Sequence, residues 1–206
     1  MRHFVILAAV SLALGGVSFA HGADAPDPAA APAGVYKTDA GHRYITFSYL
    51  HLGFSHPSLR WRDLDATLNW NPAAPEKSTV EAVIDVNSID TGVDALDKHL
   101  KSDDFFNAEK YPTMTFKSTG IEKTGEDTGI MTGDLTVHGV TKPVTLNVTF
   151  NNGGKNPFGS GYKLGFDATG SLKRSDFGVD RFVPNVGDEI DFVISAEFKS
   201  EEADKK

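Results

Sequence analysis

Residues 131–150 read MTGDLTVHGVTKPVTLNVTF. Met131, Gly133, Leu135 and Val137 alternate with Thr132, Asp134 and Thr136, and beyond HGVTKP the alternation resumes with Val144, Leu146, Val148 and Phe150. Apolar residues at period two mark a strand with one buried face, because successive side chains leave a pleated backbone on opposite sides. Two such runs joined by a short turn form an antiparallel hairpin.

The same period recurs on both sides of this hairpin. Upstream lie Ile45, Phe47 and Tyr49, then Leu64, Ala66, Leu68 and Trp70, then Val80, Ala82, Ile84 and Val86, then Met114, Phe116 and Ser118. Downstream lie Leu164, Phe166, Ala168, Gly170 and Leu172, and Ile190, Phe192, Ile194, Ala196 and Phe198. Turn-forming stretches such as NPAAPEK, KTGEDTG and NNGGKNPFGSG separate most of the runs. One segment differs: over 92–102, Val93, Leu96 and Leu100 fall three and four apart on one face of a helix, and Thr91 with Asp94 resembles a capping box at its start. The order is three strands, one short helix and five strands. Eight antiparallel strands make either a sandwich or a closed barrel, and closure removes both sheet edges, so an all-β, up-and-down barrel is the favoured fold.

Such a barrel is just wide enough to fill itself with side chains or to hold one slender ligand. Ala66, Ala82, Gly133, Ala168, Gly170 and Ala196 fall on the apolar faces, where a packed core would use larger residues. They either leave space along the axis or relieve crowding where the barrel tapers. The aromatic cluster in DDFFNAEKYPTMTF, residues 103–116, either plugs one end or, with the helix, forms a lid over an apolar mouth.

The ends of the chain read differently. Arg2 and His3 precede an apolar run from Phe4 to Val17, followed by Ser18 and Ala20, which is the pattern of an export signal over 1–20 cut after Ala20. Residues 21–34 form an Ala/Pro-rich tether, 35–199 the domain and 200–206 a charged tail. The expectation is therefore an exported chain, with no membrane span once the signal is removed.

Composition narrows the chemistry. With 40% hydrophobic and 23% charged residues the chain is globular, and a formal charge of -8 repels nucleic acid and anionic lipid surfaces. The absence of cysteine removes disulfides, thiolate metal sites and thiol nucleophiles. His51 and His56 in HLGFSHP lack the convergent third and fourth ligands that a zinc site needs, so no metal is expected. His99 reads as a solvated helix residue and His138 as a turn residue. No GxSxG elbow and no helix-opening phosphate loop occur, and an enzyme is the minority reading.

HLKSDDFFNAEKYPTMTFKS at 99–118, GDLTVHGVTKPV at 133–144 and KRSDFGV at 173–179, with DAGHRYITFSYLHLGFS and SIDTG, resemble the YceI-like family of bacterial secreted proteins. That resemblance spans about residues 35–198 and implies a lipocalin-like barrel whose axial pocket holds a polyisoprenoid or another long amphiphile of polyprenyl, quinone or fatty-amide type. It supplies no reaction and no required cofactor; a bound isoprenoid lipid or quinone is the expected small-molecule partner. Phe105, Phe106, Tyr111, Arg174, Asp176 and Phe177 match its motifs. Together with inward-facing positions they give the candidate ligand contacts: Phe47, Tyr49, Ala82, Ile84, Leu100, Phe105, Phe106, Tyr111, Phe116, Leu135, Phe166, Ala168, Arg174, Phe177 and Phe192.

The function expected from these readings is a periplasmic carrier. The alternatives are a dry-barrelled stress or structural protein with a protein partner, and an enzyme acting on a lipid headgroup; a homodimer is a further partner expectation. N-terminal sequencing of protein from its native host should find a chain beginning between His21 and Pro26, free of lipid modification; retention of Met1 would contradict export.

Overall fold

Residues 26–200 of this computed structural model are described here; residues 1–25 and 201–206, and with them the export signal and most of the tail, lie outside the described residues. The strands are β1 (Gly34–Ser48), β2 (Ser58–Trp61), β3 (Leu64–Trp70), β4 (Thr79–Asp85), β5 (Ile89–Asp90), β6 (Thr113–Lys123), β7 (Thr128–Val137), β8 (Val140–Lys155), β9 (Tyr162–Lys173) and β10 (Glu189–Ser200). Helix α1 (Asp94–Lys101) lies between β5 and β6.

All pairings are antiparallel, in the order β10-β9-β8-β7-β6-β4-β3-β1, and β10 pairs back onto β1 from Tyr36↔Ser200 to Ser48↔Asp191. The fold is thus a closed eight-stranded barrel with one helix between its third and fourth wall strands. β2 and β5 are additions that the sequence reading missed: β2 pairs with the second half of β1 and β5 with β2. At four and two residues they are too short to show a period.

On every wall strand the expected inward set faces the interior. β1 starts eleven residues before Ile45, the first residue of its recognised run, and the irregularity between Thr38 and Arg43 reverses its parity, so that Tyr36 precedes Ile45 and Phe47 on the inner face. A bulge between Ser118 and Gly120 does the same on β6. The buried side chains form two layers. One, towards the helix, holds Phe47, Trp61, Ile84, Leu100, Met114 and Phe177; the other, towards the opposite end, holds Tyr36, Leu68, Trp70, Phe150, Leu164 and Phe198. Ala82 and Ile194 touch both.

Three local expectations need correction. The described end of the tether is not free: Pro28–Ala30 form a 3-10 turn whose Ala29 N–H donates to Asp27 Oδ1 at 2.8 Å, Ala31 is fully buried, and the Tyr36 hydroxyl donates to Pro32 O at 2.8 Å. This segment packs at the far end of the barrel, where Ala31 joins the apolar layer of Tyr36, Trp70 and Phe150 and Pro28 lines the cavity. The capping box does not form either, since Val93 is the N-cap and makes no side-chain cap; Asp97 accepts the Thr91 N–H at 2.8 Å instead. Val93 consequently faces outwards, and only Leu96 and Leu100 of the helical trio pack inwards.

β1 leaves β3 after Lys37↔Thr67 to take up β2. Side chains bridge the resulting gap: the Ala66 N–H donates to Thr38 Oγ1 at 3.1 Å, and Arg43 Nη1 donates to Leu64 O at 3.1 Å and pairs with Asp63 and Asp65. On the other side of the irregularity the buried Asp39 carboxylate receives Lys199 Nζ at 2.9 Å, Lys163 Nζ at 3.1 Å, His42 Nδ1 at 3.1 Å and the Gly41 N–H at 3.2 Å. Burial alone would raise the pKa of Asp39, but the lysine hydrogen bonds outweigh it and hold the carboxyl far below its usual range. Its stabilising effect is therefore complete above about pH 4 and is lost as the pH falls below that. Asp39→Asn should lower stability by about 1.5–3 kcal/mol at pH 7, read from urea unfolding, with the difference from the parent shrinking towards pH 2. A difference that is constant from pH 7 to pH 3 would contradict this assignment.

Candidate ligand-binding cavity

The barrel encloses a cavity of about 490 Å³ that runs along its axis. Its wall is predominantly apolar, and the charged lining residues gather towards the two ends: Glu76, Lys123, Glu126, Asp127 and, level with Thr128 across β8, Asp167 towards one, His99 and Arg174 towards the other. The outer face of the wall is polar, as with Asp63, Asp65 and Asn69 around β3. This is the inverse of a membrane barrel with a wet lumen.

Two aromatic groups grip the cavity, one in each layer. Trp61 stacks on Phe47 with centroids 4.2 Å apart and takes Phe106 edge-on at 5.6 Å. Trp70 stacks on Phe150 at 6.0 Å and takes Phe166 edge-on at 5.8 Å. The small residues between them do different things. A Cβ at Gly133 would overlap the ring of Phe116, and one at Gly170 the ring of Phe192, so these glycines seat rings against the wall and leave no free space. Ala82 and Ala168 do line the void. Of the two roles open to the six small residues, Ala66, Ala82, Ala168 and Ala196 line the void, whereas Gly133 and Gly170 relieve crowding.

Of the fifteen candidate contacts, the cavity wall includes Phe47, Tyr49, Ala82, Ile84, Leu100, Phe105, Phe106, Phe116, Leu135, Phe166, Ala168, Arg174, Phe177 and Phe192. Tyr111 lies outside it. Its ring meets His138 at 4.7 Å and covers the β7–β8 turn, where His138 (φ 51°) and Gly139 (φ 77°) form a two-residue hairpin loop; a Cβ on Gly139 would run into the Tyr111 ring. Tyr111 therefore belongs to turn packing. Wall residues that the sequence reading missed include Trp61, which stands on a strand too short to recognise, and Ile121, which follows a bulge that reverses parity.

The helix end is closed by α1 and the loop after it. Leu96 and Leu100 point into the cavity beside Phe105 and Phe106. His99 is not a plain surface residue: its ring meets Phe105 edge-on at 4.9 Å and Phe182 at 6.4 Å, and it lies 3.6 Å from Asp104, which also approaches Arg181. These contacts clasp the helix to the loop over 180–187.

Arg174 fixes that loop. It is 8% exposed and lies in a 3-10 turn, Arg174–Phe177, that ends on left-handed Gly178. Nε donates to Gly187 O at 2.9 Å, Nη1 to Val179 O at 2.7 Å and Arg181 O at 3.0 Å, and Nη2 to Val186 O at 2.9 Å. Asp188 accepts the Ser175 N–H at 2.9 Å and hydroxyl at 2.8 Å. Burial draws the pKa of Arg174 down, with Asp188, Asp180 and Tyr49 opposing; burial also raises that of the Tyr49 hydroxyl, opposed by the Arg174 charge. Arg174 thus borders the cavity while its donors are engaged by backbone carbonyls, so it shapes the mouth.

His51 sits on the rim, bridged to Ser55 and Val186, and His56 is exposed. Among the described residues, the close set of metal-ligating atoms is Asp39, His42 and Glu197 on the outer face, where Lys163 and Lys199 already hold the carboxylates. No described helix is long and apolar enough to cross a membrane.

The structure defines a class of protein: an antiparallel eight-stranded barrel closed around a mostly apolar axial cavity, with a helical cover at one end and room on its axis for one slender molecule. Residues 36–198 match the model of the YceI-like domain, and the chain belongs to that family. It is 39% identical over 163 residues to a UPF0312 protein of Azotobacter vinelandii, covering 79% of this chain and 84% of that one. Its fold is similar to that of a Campylobacter jejuni YCEI protein (34% identity, TM-score 0.68, covering 74% of this chain and 90% of that one). It is also similar to that of a polyisoprenoid binding domain from Saccharophagus degradans implicated in plant cell wall breakdown (14% identity, TM-score 0.61, 82% and 99% covered).

Replacing Arg174 by Met leaves four carbonyls without their donor, so Arg174→Met should lose about 3 kcal/mol or more of stability in urea unfolding. Arg174→Lys should recover only part of it, since an ammonium cannot reproduce the planar fork. Full stability of either variant would show that the carbonyl contacts do not hold the loop.

Proposed function

We propose that this protein is a periplasmic carrier or sequestering protein that holds a polyisoprenoid or similar long-chain amphiphile, of polyprenyl, quinone or fatty-amide type, inside its barrel. The observation that carries this reading is the axial cavity, whose predominantly apolar wall runs through both aromatic layers with its charged residues gathered towards the two ends. Such a shape favours a long tail with one polar terminus near water. Each buried methylene contributes about 0.8 kcal/mol before ordering costs, so a prenyl or acyl chain inside both layers gains enough to offset them. The polyisoprenoid binding described for the Saccharophagus degradans domain supports the reading by analogy of fold, and the apolar run from Phe4 to Val17 supports the location.

The test is mass spectrometry of an organic extract of natively purified protein, beside the variant Ala168→Trp. Ala168 faces the void between Val148 and Ile194. The parent should release one lipid species per barrel, and an indole at 168 should occupy its place, giving a folded protein without extractable lipid. In a dry barrel the same change is overpacking, which costs about 1–3 kcal/mol with no ligand to lose. A parent that yields no lipid, or a variant that retains it at parental stoichiometry, would overturn the proposal.

A further inference from the structure

Large apolar side chains are exposed at the rim of the helix end. Leu50 (41%), Leu52 (49%), Phe54 (87%) and Phe182 (48%) stand on two loops, residues 50–56 and 180–187, that are knitted together by backbone hydrogen bonds. The Leu52 N–H donates to Asn185 O at 3.1 Å and the Gly187 N–H to Leu50 O at 2.7 Å, while the bridge from His51 to Ser55 makes Leu52, Gly53 and Phe54 the tip of a tight loop. The same loops supply His51, Phe182 and Val186 to the cavity wall. The apolar rim is therefore continuous with the apolar interior.

The fold gains little from Leu52 and Phe54, whereas Phe182 also packs on His99 and Phe105. Leu52 (φ 52°) and Phe182 (φ 65°) hold left-handed backbone conformations in which glycine or asparagine would be relaxed, yet both positions carry bulky side chains that stand half in solvent. The loop is also held in advance by Arg174, which binds the carbonyls of Val179, Arg181, Val186 and Gly187. The segments around this rim carry more acid than base, with Asp94, Asp97, Asp103, Asp104, Glu109 and Asp180 against Lys98, Lys101, Lys110 and Arg181. What the rim offers is preorganised apolar side chains with no excess of positive charge around them, which suits insertion into the interface of a bilayer of zwitterionic lipid better than attraction to an anionic one.

We propose that the helix end of the barrel docks on a lipid bilayer through Leu50, Leu52, Phe54 and Phe182, so that ligand passes between bilayer and cavity without crossing water. The inference rests on the reading of the cavity as a lipid site, since a bilayer seated on this rim both covers the apolar side chains and faces the mouth. A protein seated there would shut it.

The experiment is co-sedimentation of the protein with phosphatidylcholine vesicles, for the parent, the double variant Leu52→Asp/Phe54→Asp and, as a control at the far end, Phe158→Asp. Phe158 is 97% exposed on the β8–β9 loop, and neither Leu52 nor Phe54 lines the cavity. The parent and Phe158→Asp should sediment with vesicles equally and with little dependence on salt, and the double variant about a hundredfold more weakly, with parental melting temperature. Equal sedimentation of the double variant, or binding that needs anionic lipid and vanishes in salt, would overturn the docking. Extract content reports on the cavity separately: a lipid-filled parent that ignores vesicles overturns the docking alone, and an empty parent that binds them through Leu52 and Phe54 supports the docking and removes the carrier reading.

Discussion

The pairing of β10 with β1, carried along the barrel from Tyr36↔Ser200 to Ser48↔Asp191, turns a twisted sheet into a closed wall. Once the wall is closed, each strand has one face with nowhere to go but the interior, and eight strands leave a bore only about one slender molecule wide. Side-chain size then decides whether the bore fills. Phe116 and Phe192 lie flat against the wall because Gly133 and Gly170 have no Cβ to push them off it, and Ala82 and Ala168 keep the space between the aromatic layers open. The cavity is thus a product of where rings can lie down, as much as of how many small residues there are.

The wall was legible in the sequence because one polar and one apolar face per strand is a strong period-two signal, and runs such as Leu64–Trp70 and Ile190–Phe198 carry it without interruption. The helix was legible as a change of period, but its start was not. The Thr91 side chain bonds within its own turn to Val93, and Asp97, deeper in the helix, takes the Thr91 N–H. The beginning of β1 was hidden for another reason: the irregularity between Thr38 and Arg43 puts Tyr36 and Ile45 on the same face although they differ in parity. Burial of Ala31 against residues far along the chain leaves no local pattern at all, so an Ala/Pro-rich segment reads as a tether.

Of the candidate site, the strand residues followed from parity, whereas the motif residues separated only in three dimensions. Arg174 and Phe177 border the cavity because a four-residue turn places them there, and Arg174 does so with its donors on backbone carbonyls. Tyr111, from an equally distinctive motif, covers Gly139 on the other side of the wall. The stretches through which the family resemblance is recognised are to a large degree turn chemistry: they set the shape of the loops around the cavity, while the lining comes from ordinary aliphatic and aromatic positions that carry no signature of their own.

The parting of β1 from β3 gives the wall an unequal grain. Along β8 and β9 the ladder of amide bonds continues with a single bulge, but beyond Lys37 the seam is held by Thr38, Arg43 and two aspartates. Side-chain links of this kind yield before a backbone ladder does, so the barrel is stiff around most of its circumference and compliant along one line. A wall with one compliant seam can change girth along that line without unfolding.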